Sequence, residues 1–68
     1  MSFVLVFDIP RPLAIDRVRI HRELNRMGAQ KVQDSFWRLD NLKKLMELGM
    51  MIREVGGRAE ILEEKFLF

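Results

Sequence analysis

Five apolar residues in succession, Phe3-Val4-Leu5-Val6-Phe7, form the first patterned segment of the chain. The run is rich in β-formers and lacks in/out alternation, so it predicts a strand over Ser2 to Ile9 with both faces buried. Pro10 and Pro12 end it and set up an extended loop. From Leu13 to Met27 the period changes. Leu13, Ile20, Leu24 and Met27 recur at helical spacing, while Arg19, Arg22 and Arg26 gather on the opposite side with Ile15. Gly28 suits the position just past a helix end. Lys31 to Leu39 reads as extended, with Val32, Phe36 and Trp37 supplying β-propensity; Asp34-Ser35 marks a bend, leaving one kinked strand or two short ones. Asp40 is the expected N-cap of a second helix reaching about Val55. Its core stripe is Leu42, Leu45, Ile52 and Val55, with Met46 and Met50 beside it. Gly56-Gly57 breaks that helix, and Arg58 to Leu62 is the last strand, ahead of Glu63-Glu64-Lys65 and an apolar tail, Phe66-Leu67-Phe68.

The order strand, helix, one or two strands, helix, strand predicts an α+β, ferredoxin-like sandwich: a small antiparallel sheet with two helices on one face, one domain over residues 1–68. Two helices cover only one face of that sheet, whereas the first strand asks for both to be covered. The second face is therefore expected to pack on another copy of the chain, as a two-fold homodimer formed through the sheet. Composition points the same way. A chain of 68 residues has a small core, yet 49% of its residues are hydrophobic. It has no cysteine, which rules out a disulfide staple and fits a reducing cytoplasm. No apolar run approaches the ~20 residues that span a bilayer, so no membrane is expected as a partner.

The net charge of +2 is small, but its distribution is uneven. Arg11, Arg17, Arg19, Arg22, Arg26 and Lys31 fall in one stretch against only Asp16 and Glu23. A face of this kind suits the phosphate backbone of DNA or RNA; it also suits a plain solvated helix surface. Cysteine chemistry and multi-histidine zinc sites are excluded, since His21 is the only histidine. The glycines have the wrong spacing for a phosphate loop. His21, at the edge of the first helix's apolar stripe, reads as a packing or surface residue. Asp8 stands out as a carboxylate at the carboxyl end of a strongly apolar strand, where a rigid sheet can present it. Hard cations such as Mg²⁺ take one or two carboxylates plus phosphate and water, and such an ion can activate water against a phosphodiester. From the residues alone, a lone carboxylate reads first as a side-chain cap for the Pro10 turn. Ser35 comes near Asp8 if the sheet forms in this order, and Phe36 and Trp37 are either base-stacking aromatics or core.

Three landmarks carry a family resemblance. Phe3-Val4-Leu5-Val6-Phe7-Asp8-Ile9-Pro10 resembles the hydrophobic strand ending in Tyr/Phe-Asp-Ile of the CRISPR-associated Cas two family. The basic helix closing on Met27-Gly28 is similar to that family's first helix, and Val32-Gln33-Asp34-Ser35-Phe36-Trp37 to its Val/Ile-Gln-x-Ser-Val-Phe pattern. The likeness covers residues 3 to about 39, with departures: Arg38-Leu39 replaces the usual acidic-Gly pair, and Glu60-Ile61-Leu62 the usual last-strand pattern. The resemblance implies a ferredoxin-like homodimer, with Asp8 as the Mg²⁺-binding catalytic carboxylate of a metal-dependent nuclease, paired with its copy across the dyad. It also implies a scaffold role on DNA in spacer acquisition, bridging CRISPR integrase dimers. Arg11, Arg17 and Arg19 are then the phosphate-contact candidates beside Arg22 and Arg26. The reading from a different class is a non-enzymatic dimerisation or regulatory module of the same fold.

Overall fold

The computed structural model describes residues 2–64. Its elements are strand β1 (Ser2–Asp8), a single 3-10 turn (Arg11–Leu13), helix α1 (Ala14–Arg26), strands β2 (Gln30–Gln33) and β3 (Phe36–Leu39), helix α2 (Leu42–Glu54) and strand β4 (Arg58–Glu64). The four strands form one sheet in the order β2-β3-β1-β4. Every adjacent pair is antiparallel. The chain therefore has the ferredoxin-like βαββαβ arrangement, with β1 in the interior beside both β3 and β4.

Alternation along β1 divides the sheet into two faces. Leu5 and Phe7 point to the helices. There they join Trp37 of β3, Ala59 of β4, Ile20 and Leu24 of α1, and Leu45, Leu48 and Ile52 of α2 in one buried cluster. Val4 and Val6 take the opposite, open face, yet Val4 is only 3% exposed. Its register neighbours there are Arg38 and Leu62. Arg38 donates from Nε and Nη2 to the Glu64 carboxylate at 2.7 and 2.6 Å, and from Nη1 to Gln30 at 3.1 Å. The two-face burial expected of β1 is thus met in part by a polar brace from β3 to β4. The apolar tail, Phe66-Leu67-Phe68, lies outside the described residues.

Both helices end in the same way. Gly28, at φ +79, donates to Asn25 O while Ala29 donates to Leu24 O. Gly56 donates to Arg53 O while Gly57 donates to Ile52 O. These are Schellman closures, which satisfy the orphan carbonyls of each last turn. Gly57 has a second reason to be glycine: a Cβ there would stand 2.7 Å from both Asp8 O and Ile52 Cγ2. Gly57→Ala is therefore expected to cost roughly 1–3 kcal/mol, read by urea denaturation. A loss below a few tenths would show that β1 and α2 yield freely at this contact.

Three sequence expectations need correction, and the alternatives for residues 31–39 are decided in favour of two short strands. The N-cap of α2 is Asn41, whose side chain accepts from Lys44 N at 3.1 Å, and not Asp40. The core stripe of α2 uses Leu45, Leu48 and Ile52, whereas Leu42 is 40% exposed. The segment after Gly28 resolves into two strands turning at Asp34-Ser35, with an irregular register between Lys31 and Gln33. The last strand runs on to Glu64, because Ser2 and Phe3 still pair with Glu64 and Glu63.

Candidate nucleic-acid interface and carboxylate site

α1 carries the basic surface. Its core side is set by Ile20 and Leu24, and the residues on the far side of the turn are exposed. Arg19, Arg22 and Arg26 all lie there with Ile15, which is 85% exposed. Arg11, in the 3-10 turn that leads into the helix, is exposed as well. Arg17 differs: it flanks the core stripe and is half-buried, so it stands apart from the other three helix arginines. Among the described residues only Arg26 of this group has an ion pair, to Glu23 at 3.2 Å. Like charges at i,i+3 and i,i+4 each cost a helix a few tenths of a kcal/mol. Arg19, Arg22 and Arg26 are stacked in that spacing with one counter-charge among them.

The carboxyl end of β1 places Asp8 on the open face, exposed. Directly opposite it on β4 is Arg58. On the other side the Phe7 N–H donates to Ser35 O at 3.0 Å, so Ser35 does come beside the end of β1. Asp8 takes part in none of the three ion pairs among the described residues. The Asp8 carboxylate accepts none of the side-chain hydrogen bonds among the described residues, so the turn-cap reading of Asp8 gains no bond. No group of three or more His, Cys, Asp or Glu side chains able to hold a metal occurs among the described residues. Mg²⁺ binds one or two carboxylates together with phosphate oxygens and water, so a site at Asp8 asks less of the protein than a three-ligand cluster. Asp8 would be its protein ligand, and the remaining positions would fall to phosphate and water or to a second chain.

His21 has a structural occupation. Its ring lies between Phe7 and Trp37, with centroids 6.0 and 5.8 Å away. Its Nε2 donates to Asp34 O at 2.9 Å, and Trp37 Nε1 donates to the same carbonyl at 2.9 Å. The two donors tie the β2–β3 turn to α1 and the core. Trp37, 2% exposed, is closed to base stacking, while Phe36 is half-buried on the open face. At the same turn the Asp34 carboxylate meets Lys31 Nζ at 2.7 Å. The Lys31 hydrogen bond and charge hold its carboxyl below the ordinary value. A depressed carboxylate contributes stability that is present above its unfolded pKa and is lost as pH falls through the folded one. Both side chains are open to water, so that contribution is small.

Sequence spacing located the α1 arginines and Asp8. It missed Arg58 as the partner across from Asp8 and Gly57 as the contact behind it. Only the β1–β4 register brings those positions together. No protein-family model matches the chain, and no curated protein does so either. No helix among the described residues is long and apolar enough to cross a membrane.

Proposed function

We infer that this chain is a nucleic-acid-binding homodimer of the Cas two type, working in the cytoplasm as a DNA-binding scaffold of spacer acquisition and cutting phosphodiesters where its Asp8 is supplied with a metal. The observation that carries the reading is the outer face of α1: Arg19, Arg22 and Arg26 stand exposed in one stripe with a single ion pair among them. The fold does not need that stripe, and its mutual repulsion is relieved by a polyanion. Arg11 extends it toward the end of β1, where Asp8 is exposed. Asp8 itself lies on the open face of the sheet, away from the helices, so a strand bound along α1 would have to pass around the end of β1 to reach it. The integrase of the CRISPR system is the protein partner that this role requires.

Mg²⁺ at Asp8 would polarise a phosphodiester and lower the pKa of its bound water. The chain's own part is to hold the carboxylate rigidly, since β1 is paired on both sides and Gly57 packs behind the Asp8 carbonyl. Cleavage of DNA or RNA is expected to require Mg²⁺ or Mn²⁺ and to be lost in Asp8→Asn, with the melting temperature unchanged. Activity surviving in Asp8→Asn would place the chemistry elsewhere. A wild type that binds nucleic acid but cuts nothing under either metal leaves the scaffold role alone. A wild type that binds neither DNA nor RNA favours the non-enzymatic dimerisation or regulatory module.

A further inference from the structure

The open face of the sheet is a poor place to bury a second chain. Val4 is already covered, Val6 and Phe36 are half-covered, and the Arg38–Glu64 pair crosses the face. Closing over it would strip water from that pair. The outer edge of β4 is different. Phe7 N–H donates toward β3, so the alternate residues of β1, Val4, Val6 and Asp8, direct their backbone groups toward β4. Their partners Leu62, Glu60 and Arg58 are the ladder-bonded residues of β4. The backbone groups of Ala59, Ile61 and Glu63 therefore point outward, along an edge that no strand among the described residues covers. Arg53 of α2 donates to one of them, Ala59 O, at 3.3 Å. Beside this edge runs a groove of about 640 Å³ between β4 and α2, lined in part by Leu42, Met46, Met50 and Leu62. These four are 40, 52, 63 and 51% exposed.

We propose that a second copy of this chain occupies that edge, with β4 paired antiparallel to its own copy and Ile61 on the two-fold axis. Charge selects both the partner and the register. With Ile61 opposite Ile61, Arg58 faces Glu64 of the other copy, Glu60 faces Leu62, and Ala59 faces Glu63. Arg53, already seated on Ala59 O, then meets the Glu63 carboxylate of the other copy, and the pair recurs across the dyad. Shifting the dyad to Glu60 sets Glu60 against itself. Shifting it to Leu62 sets Glu60 against Glu64 twice. Directly opposed like charges destabilise a strand pair. The chosen register also lets Ala59, Ile61 and Glu63 exchange hydrogen bonds with their opposites. It brings the exposed residues of the two α2 helices to the same side of a continuous eight-stranded sheet. The homodimer of the proposed function supplies only the premise that a second copy binds; the surface is new. Strand rise and spacing put the two Asp8 residues roughly 25 Å apart in this arrangement, so the edge dimer departs from the dyad-paired Asp8 that the family resemblance implies.

Sedimentation equilibrium of the 68-residue protein tests this. The wild type should sediment at about twice its chain mass of 8.1 kDa at micromolar concentration. Arg53 and Glu63 are both exposed, so reversing either should leave the fold intact by circular dichroism. Glu63→Arg or Arg53→Glu alone should raise the dimer Kd by roughly tenfold, because the reversal acts twice across the dyad. The double reversal should restore it. A monomeric wild type overturns the proposal. So does a dimer indifferent to both single reversals, or one that the double variant fails to rescue. DNA binding followed in parallel separates the outcomes: a monomer that still binds DNA sinks the edge interface and leaves the α1 surface standing.

Discussion

Trp37→Ala is expected to remove most of the protein's stability. The indole is 2% exposed at the centre of β3, opposite Leu5 of β1, and it is the largest fully buried side chain. Truncating a buried Trp costs about 3–5 kcal/mol through lost transfer energy and the cavity left behind. A domain of this size has only about 3–10 kcal/mol in total, at 0.05–0.15 per residue. The loss spreads further, because Trp37 Nε1 shares Asp34 O with His21 and the two rings pack together. Asp34 O in the β2–β3 turn thus loses one of its two side-chain donors. Urea denaturation followed by far-UV circular dichroism reads the effect. A change below about 1 kcal/mol would mean that neighbouring side chains collapse into the space, contrary to the close packing seen here. Trp37→Phe keeps part of the ring volume and loses both the rest of it and the Nε1 bond to Asp34 O, so its cost should fall between the wild type and Trp37→Ala.

Replacing Arg19, Arg22 and Arg26 together with Glu is expected to abolish nucleic-acid binding at ordinary salt. Each phosphate contact contributes about 0.9 to the slope of log K against log salt on duplex DNA and about 0.7 on single strands. Three contacts therefore give slopes of about 2.7 and 2.1, and the duplex term alone is worth about 500-fold between 1 M and 0.1 M salt. The triple variant should lose that dependence on every sequence tried, as a backbone contact must. The substitutions should not harm the fold, since all three side chains are exposed. Removing a like-charge stripe should, if anything, raise the melting temperature slightly. Weaker binding together with an unchanged or higher melting temperature is the signature that tells a binding face from a structural one. Unchanged affinity for both DNA and RNA would reduce the stripe to solvated surface. Arg17, half-buried at the flank of the core stripe, should contribute less than any of the three when replaced alone.

Local pattern decided more of this protein than its size suggests. The unbroken Phe3 to Phe7 run, the helical spacing of Ile20, Leu24 and Met27, and the glycines at 28 and 56 each act within a few residues, so they can be read in order along the chain. The same 3.6-residue geometry placed Arg19, Arg22 and Arg26 on one face before any packing was known. Asp8 was legible for the same reason: it is the polar residue that ends an apolar strand.

Other features needed the tertiary structure. α2 is apolar around much of its circumference, with Leu42, Leu45, Met46, Leu48, Met50, Met51 and Ile52 all in one helix. Its rotational phase is therefore ambiguous until the sheet chooses a side, and Leu48 went inward while Leu42 stayed out. Strand register is not fixed by local pattern alone, because a two-residue shift keeps every side chain on its own face while changing every partner. Register alone set Arg58 opposite Asp8, braced Arg38 against Glu64 over Val4, and turned Ala59, Ile61 and Glu63 toward an uncovered edge. The residues of the basic face lie within one helix, where spacing is enough to find them. The carboxylate's surroundings and the β4 edge join residues as far apart as Asp8 and Arg58, which meet only because β1 is interior to the sheet and pairs with the last strand of the chain.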